Sequence, residues 1–202
     1  MTDKAKDAQV GDDLTSELDF LFEAGYLKKL RRSGWLLAGL HDGESVAEHV
    51  FRTAVIGFVL ACLEEVDPYK VASLCLFHDI QEARVSDLNP LTKRYFDQHQ
   101  AESTARTELC QSLSDRVSRQ LSSIFANYSD GDSAEAVIAR DADLLECILQ
   151  AYEYKESGFR GAGNFIAGDS SLQVQLKSAS AVKLAQLAEN RSSAEWWKLL
   201  TK

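Results

Sequence analysis

Three apolar, helix-periodic stretches of this chain each carry an ionisable residue where only core side chains belong. His49 sits in a run in which Val50, Phe51, Ala54, Val55, Phe58, Val59 and Leu63 cover most of a helix circumference, so that helix is expected to be central and buried. The doublet His78-Asp79 ends a run whose core face is Val71, Leu74, Cys75 and Phe77, and Asp143 lies between Val137-Ile138 and Leu144-Leu145. Burying even a neutral polar group without a partner costs on the order of 2–7 kcal/mol. Any fold of this chain must therefore supply these groups with partners.

The punctuation also favours helices. Only 2 prolines and 11 glycines interrupt 202 residues, few for a sandwich or barrel. Ser45-Val-Ala-Glu48 reads as a capping box that opens a helix running to about Glu65, and Asp67-Pro68 supplies an N-cap with proline at the first helical position. Asp132 to Glu135 resembles a further cap, opening a helix to about Glu156. Leu18, Leu21, Phe22 and Gly25 suggest an earlier helical face, and Arg31 to Gly43 a connection containing Trp35. Residues from about Thr92 to Tyr128 read as one long or two shorter helices, 170–190 as helical, and Ser193 to Leu200 as a short amphipathic end. The expected fold class is all-α, a compact multi-helix domain over 14–202 behind a disordered tail, 1–13.

Net charge is −9, which disfavours nucleic acid and anionic membranes as partners but not a nucleotide held by a metal and a few arginines. Cys62, Cys75, Cys110 and Cys147 form no C-x-x-C pair and read as reduced, buried thiols. The polar N-terminus has no signal-peptide core, and no apolar run reaches the ~18 residues of a membrane span, so a cytoplasmic location is expected.

On its own, His49 reads as a core histidine with a hydrogen-bond partner. The neighbours change that reading. Adjacent residues on a regular helix point about 100° apart, so His78 and Asp79 can converge only where the helix ends or distorts. A divalent cation held by two imidazoles and two carboxylates would satisfy His49, His78, Asp79 and Asp143 together. That donor set suits Mn, Co, Fe or Ni, with Mg or Zn possible. On a continuing helix Glu82 would share the face of His78 and Asp79, where a carboxylate can move a proton.

The ordered set His49, His78-Asp79 and Asp143 resembles the HD-domain superfamily. Arg-Ser-Gly-Trp35, Glu44 to His49, His78 to Glu82, Asp87-Leu-Asn-Pro90 and the run Asp143 to Glu153 together resemble its 5′-deoxynucleotidase subfamily. The resemblance covers about residues 17–156. It implies an all-helical core, a single metal ion, hydrolysis of nucleoside 5′-monophosphates, and a homodimer. It further implies that Glu82 transfers the proton, that Asp87 lies near the sugar hydroxyl or the attacking water, and that Trp35 and a nearby arginine line the nucleotide site. Gly34 stands where the bacterial prototype has arginine, whereas Arg32, three positions before the tryptophan, matches the archaeal and eukaryotic branch.

Metal-assisted release of phosphate from (deoxy)nucleoside 5′-monophosphates is the expected function, with Arg32 and Lys93 offsetting phosphate charge and the Trp35 indole walling the sugar or base. The alternatives are an HD nucleoside triphosphate phosphohydrolase and a non-catalytic helical nucleotide-binding or scaffold protein. Ala83 after Glu82 argues against a ppGpp hydrolase, and four histidines are too few for a two-metal phosphodiesterase. His41-Asp42, His99 and Asp141 are set aside as ligands, and Trp196-Trp197 reads as packing or dimer contact.

Overall fold

Ser45 starts the helix that organises the chain. Its hydroxyl accepts from the Glu48 amide at 3.2 Å while the Glu48 carboxylate accepts from the Ser45 amide at 2.6 Å, the expected capping box. The computed structural model describes residues 14–168 and 171–201, so the tail expected over 1–13 lies outside the described residues. The helices are α1 (Thr15–Tyr26), α2 (Gly34–Leu37), α3 (Val46–Leu63), α4 (Pro68–Phe77), α5 (Glu82–Val85), α6 (Pro90–Lys93), α7 (Gln98–Gln111), α8 (Asp115–Asp130), α9 (Ala134–Glu156), α10 (Ala179–Glu189) and α11 (Glu195–Leu200). Two 3₁₀ turns, Arg160–Phe165 and Leu172–Gln175, join α9 to α10. No strand occurs among the described residues, and one isolated antiparallel bridge pairs Arg31 with Ser45.

Helices α3, α4 and α9 form the main core, joined by α10. Helix α3 is not buried all round, contrary to expectation. Val46, His49, Val50, Thr53, Gly57, Leu60 and Ala61 face inward, while Phe51 (70% exposed), Val55, Phe58, Val59 and Leu63 face outward. Close approach is the reason. A Cβ on Gly57 would lie 2.6 Å from Cys75 Sγ, so this point of contact with α4 needs a glycine, while Val50 and Leu60 pack inward on either side of it. The same inversion holds in α1, where Leu18, Leu21 and Phe22 are exposed and Phe20, Ala24 and the following Leu27 make the packed side. By length and composition Val46–Leu63 is long and apolar enough to cross a membrane, a point the expectation missed because Glu48, His49 and Arg52 interrupt the run.

Other boundaries also shift. The 31–43 connection contains α2. The 92–128 region divides into α7 and α8 after a short α6. Ser133, not Asp132, caps α9, because its hydroxyl accepts from the Ala136 amide at 3.2 Å. The 170–190 segment becomes α-helical only at Ala179. Asp141 explains that last boundary. Its carboxylate, 1% exposed, accepts from the amides of Lys177 at 3.0 Å and Ser178 at 2.6 Å, tying the approach to α10 onto α9.

Asp141→Ala is expected to lower unfolding free energy by on the order of 3 kcal/mol, since it strands two amides of a charge-assisted pair. Urea denaturation checks this, and an unchanged midpoint refutes it.

Candidate functional site

Helix α4 stops at Phe77, and His78 is its C-cap. The chain then tightens, with the Ile80 amide on the Phe77 carbonyl and the Glu82 amide on the Asp79 carbonyl. That turn, rather than a continuing helix, brings His78 and Asp79 to one point, and Glu82 arrives at the start of α5. His49 approaches from α3 and Asp143 from α9. His49 Nε2 lies 3.1 Å from Asp143 Oδ1 and 3.7 Å from Asp79 Oδ2. His78 Nε2 lies 3.1 Å from Asp79 Oδ2 and 3.7 Å from Asp143 Oδ1. Both Nε2 atoms are buried and, among the described residues, lack a hydrogen-bond partner.

The other ring nitrogens are engaged. His78 Nδ1 contacts the Cys75 carbonyl at 2.6 Å, which requires that nitrogen to carry the proton. His49 Nδ1 lies 2.5 Å from Glu146 Oε2. Glu146 is fully buried and accepts from Arg52 Nε at 2.9 Å, while Arg52 also reaches Glu153 and Gln150. Both imidazoles thus turn an Nε2 lone pair toward carboxylate oxygens, an arrangement that only a proton or a cation between them relieves. Burial opposes protonating the rings, yet the facing carboxylates outweigh it. Asp79 and Asp143 raise His78 well above the usual histidine value, and Asp143 and Glu146 raise His49. Burial likewise works against ionised Asp79, but His78 brings it down to about 2.

A cleft of about 350 Å³ opens over this cluster. Its lining includes Arg32, Trp35, Glu82, Asp87 and Lys93 among the expected residues, and also Arg106, Tyr128, Leu144, Phe165 and Leu172. Arg32 lies 3.4 Å from Asp79 Oδ2 and 3.8 Å from Asp87 Oδ1 and donates to Cys147 Sγ at 2.9 Å. Glu82 is 6% exposed, with Oε2 unpartnered among the described residues. Burial first, then Asp79 and Asp87, pushes its carboxyl well above the ordinary range. Lys93 stands exposed at the rim.

Two of the expected cleft residues also make structural contacts. Trp35 is 3% exposed, donates its Nε1 proton to Glu44 at 2.9 Å and packs on Tyr154 and Phe165, so it is core with one edge on the cleft. Asp87 accepts from the Ser33 amide, which occupies Oδ2 and ties the Arg32 segment to the loop after α5. Asp141 stays outside the cluster, as expected, and His99 is exposed.

The sequence reading missed the residues behind the cluster of His49, His78, Asp79 and Asp143. Tyr128 donates to Asp143 Oδ2 at 3.3 Å and packs its ring 5.2 Å from that of His78. Arg106 donates to the His78 carbonyl at 3.3 Å. Glu146 had a readable signal, a carboxylate one turn after Asp143 in an apolar run, where a ligand imidazole needs an acceptor for its other nitrogen. Arg106 and Tyr128 had none.

The HD domain family matches residues 24–177. The chain belongs to the HD-domain family. Its similarity to 5′-deoxynucleotidase HDDC2 from Dictyostelium discoideum is 34% identity over 153 residues, covering 71% of this chain and 80% of the relative. The human 5′-deoxynucleotidase HDDC2 is 32% identical over 149 residues, with 72% of each covered. Among solved structures, a conserved hypothetical protein from Pyrococcus furiosus superposes with a TM-score of 0.70 at 29% identity, over 86% of this chain and 99% of that one. Of the residues that carried the sequence resemblance, Arg32, Trp35, His78, Asp79, Glu82, Asp87 and Asp143 line the cleft, whereas Glu48 and Gln150 lie away from it.

Trp35→Ala is expected to cost about 3–5 kcal/mol of stability, the size of a core aromatic truncation. Phe165→Ala, at the half-buried cleft wall, should cost less and mainly weaken ligand binding. Equal unfolding midpoints for the two variants would return Trp35 to the role of a simple cleft wall.

Proposed function

We propose that this chain is a phosphoric monoester hydrolase that releases phosphate from (deoxy)nucleoside 5′-monophosphates, with one divalent ion held by His49, His78, Asp79 and Asp143. The observation that carries it is the pair of buried, unpartnered Nε2 atoms, each within 3.7 Å of the same two carboxylates, at the floor of an open cleft. A divalent ion supplies the charge that would otherwise need protons on both rings. The donor set fits Mn, Co, Fe or Ni, and also admits Mg or Zn. The names of the relatives support the substrate class.

Such an ion, when bound, activates water and polarises a phosphoryl oxygen. The chain's own residues do the rest. Arg32, held in place by Asp79 and Asp87, offers its guanidinium to phosphate oxygens. Lys93 adds a mobile cation at the rim. Glu82, buried and inclined to hold its proton, delivers it to the leaving sugar oxygen. Phe165, Leu144 and Leu172 give an apolar wall with no directional partner for a particular base, so several bases should be accepted. A triphosphate would need more free cationic partners than Arg32 and Lys93 beside the ion, because the third cation of the cleft, Arg106, is paired with Glu102. The exposed apolar side of α3, with Phe51, Val55 and Val59, supports a homodimer in the same proposal.

Dialysis against a chelator should abolish phosphate release, and one equivalent of Mn or Co should restore it. Glu82→Gln should keep the metal while kcat falls roughly 10²-fold, the usual size of a general acid–base effect. Glu146→Gln should weaken metal binding about 10- to 100-fold, as loss of a ligand's supporting hydrogen bond does. Full activity in the metal-free protein, or faster cleavage of triphosphates or 3′-monophosphates than of 5′-monophosphates, would overturn the proposal.

A further inference from the structure

The groove between α7 and α8 is about 710 Å³, larger than the metal cleft. Arg106, Tyr128 and Glu102 line both cavities and so form their shared wall. The groove is also lined by His99, Arg140 and the hydroxyls of Ser103, Thr107, Ser122 and Ser129. Among the described residues its lining carries two guanidiniums in a chain of net −9, of which Arg106 is paired with Glu102 at 3.3 Å, leaving Arg140 as its unpaired cation. Arg140 donates to the Tyr128 carbonyl at 2.7 Å and the Gly131 carbonyl at 2.9 Å, and among the described residues no carboxylate pairs with it. Arg106 is strung across the wall. It donates to Ser129 Oγ at 2.6 Å on the groove side, to the His78 carbonyl at 3.3 Å on the metal side and to Glu102 at 3.3 Å, and among the described residues its buried Nε has no partner.

We propose that this groove is a second anion site, taking a nucleotide through its phosphates, and that its occupant restrains the metal centre through Arg106. Hydroxyl and guanidinium donors recognise phosphate oxygens, and the volume fits a nucleotide rather than a lone phosphate. An anion that draws Arg106 toward the groove removes its hydrogen bond to His78 and loosens the turn that presents His78 and Asp79. The binding claim stands independently of the proposed reaction. The restraining effect rests on it.

The test uses MgATP, with free Mg²⁺ held constant, on the metal-loaded full chain. Calorimetry should find binding that survives Arg32→Ala in the cleft and weakens at least tenfold in both Arg140→Ala and Ser122→Trp, the latter filling the groove from an exposed position on α8. No binding to the wild type at millimolar MgATP, or binding lost in Arg32→Ala and kept in the two groove variants, would overturn the site. In turnover of a 5′-monophosphate, saturating MgATP should lower kcat several-fold with KM unchanged. Ser122→Trp should keep the uninhibited kcat and ignore MgATP. A rise in KM alone would place MgATP in the metal cleft, and groove binding without any change in kcat would refute the coupling. If 5′-monophosphates are not hydrolysed at all, the calorimetry still decides the site.

Discussion

The hydrogen-bonded chain from Arg52 through Glu146 to His49 governs the rest of the structure. Glu146 is fully buried, and only the Arg52 guanidinium and the His49 ring make its charge tolerable there. An uncompensated carboxylate in that position would cost several kcal/mol. By occupying Nδ1, Glu146 fixes the orientation of the His49 ring and turns Nε2 toward Asp79 and Asp143. The Cys75 carbonyl does the same for His78. The ligand-like geometry is therefore set from behind, by groups that face away from the cleft.

That geometry also depends on how closely three helices approach. His49, His78 and Asp143 reach one point because Gly57 lets α3 lie close against Cys75 and Val71 of α4. The cost is an outward surface of large apolar residues on α3. Packing near the site and exposure away from it follow from one constraint. Where the α3 backbone lies against a neighbour's side chains, at Gly57, no side chain fits between them.

Much of this was legible in the sequence, for identifiable reasons. Cap chemistry located the starts of α3 and α4, because side chains satisfying helix-end amides leave a local signature. The ionisable interruptions in three apolar runs marked His49, His78, Asp79 and Asp143, which the fold brings together. The periodicity of α1 and α3 misled, because counting apolar residues does not reveal which side a neighbouring helix approaches. Trp35 misled similarly. An aromatic near a cleft motif could be wall or core, and only the Glu44 acceptor and the Tyr154 and Phe165 rings decide for core. Arg106 and Tyr128 were silent because their significance arises from tertiary contact between α8, α7 and the end of α4.

Three arginines around the cluster differ in what holds them, and that difference separates their roles. Arg52 is saturated by Glu146, Glu153 and Gln150, so it has no donor to spare and serves as support. Arg106 divides its bonds among a carbonyl, a hydroxyl and one carboxylate, Glu102, and the first two are weaker claims than a phosphate would make. Arg32 is intermediate. Its carboxylate contacts, at 3.4 and 3.8 Å, are long for charge-assisted hydrogen bonds, and one is to Asp79, whose charge a divalent ion would also claim. With an ion in place Asp79 would hold Arg32 less firmly, leaving the guanidinium available to an anion arriving at the same ion. In the proposed enzyme the order of binding, metal before phosphate, is thus already implicit in which arginine is loosely held.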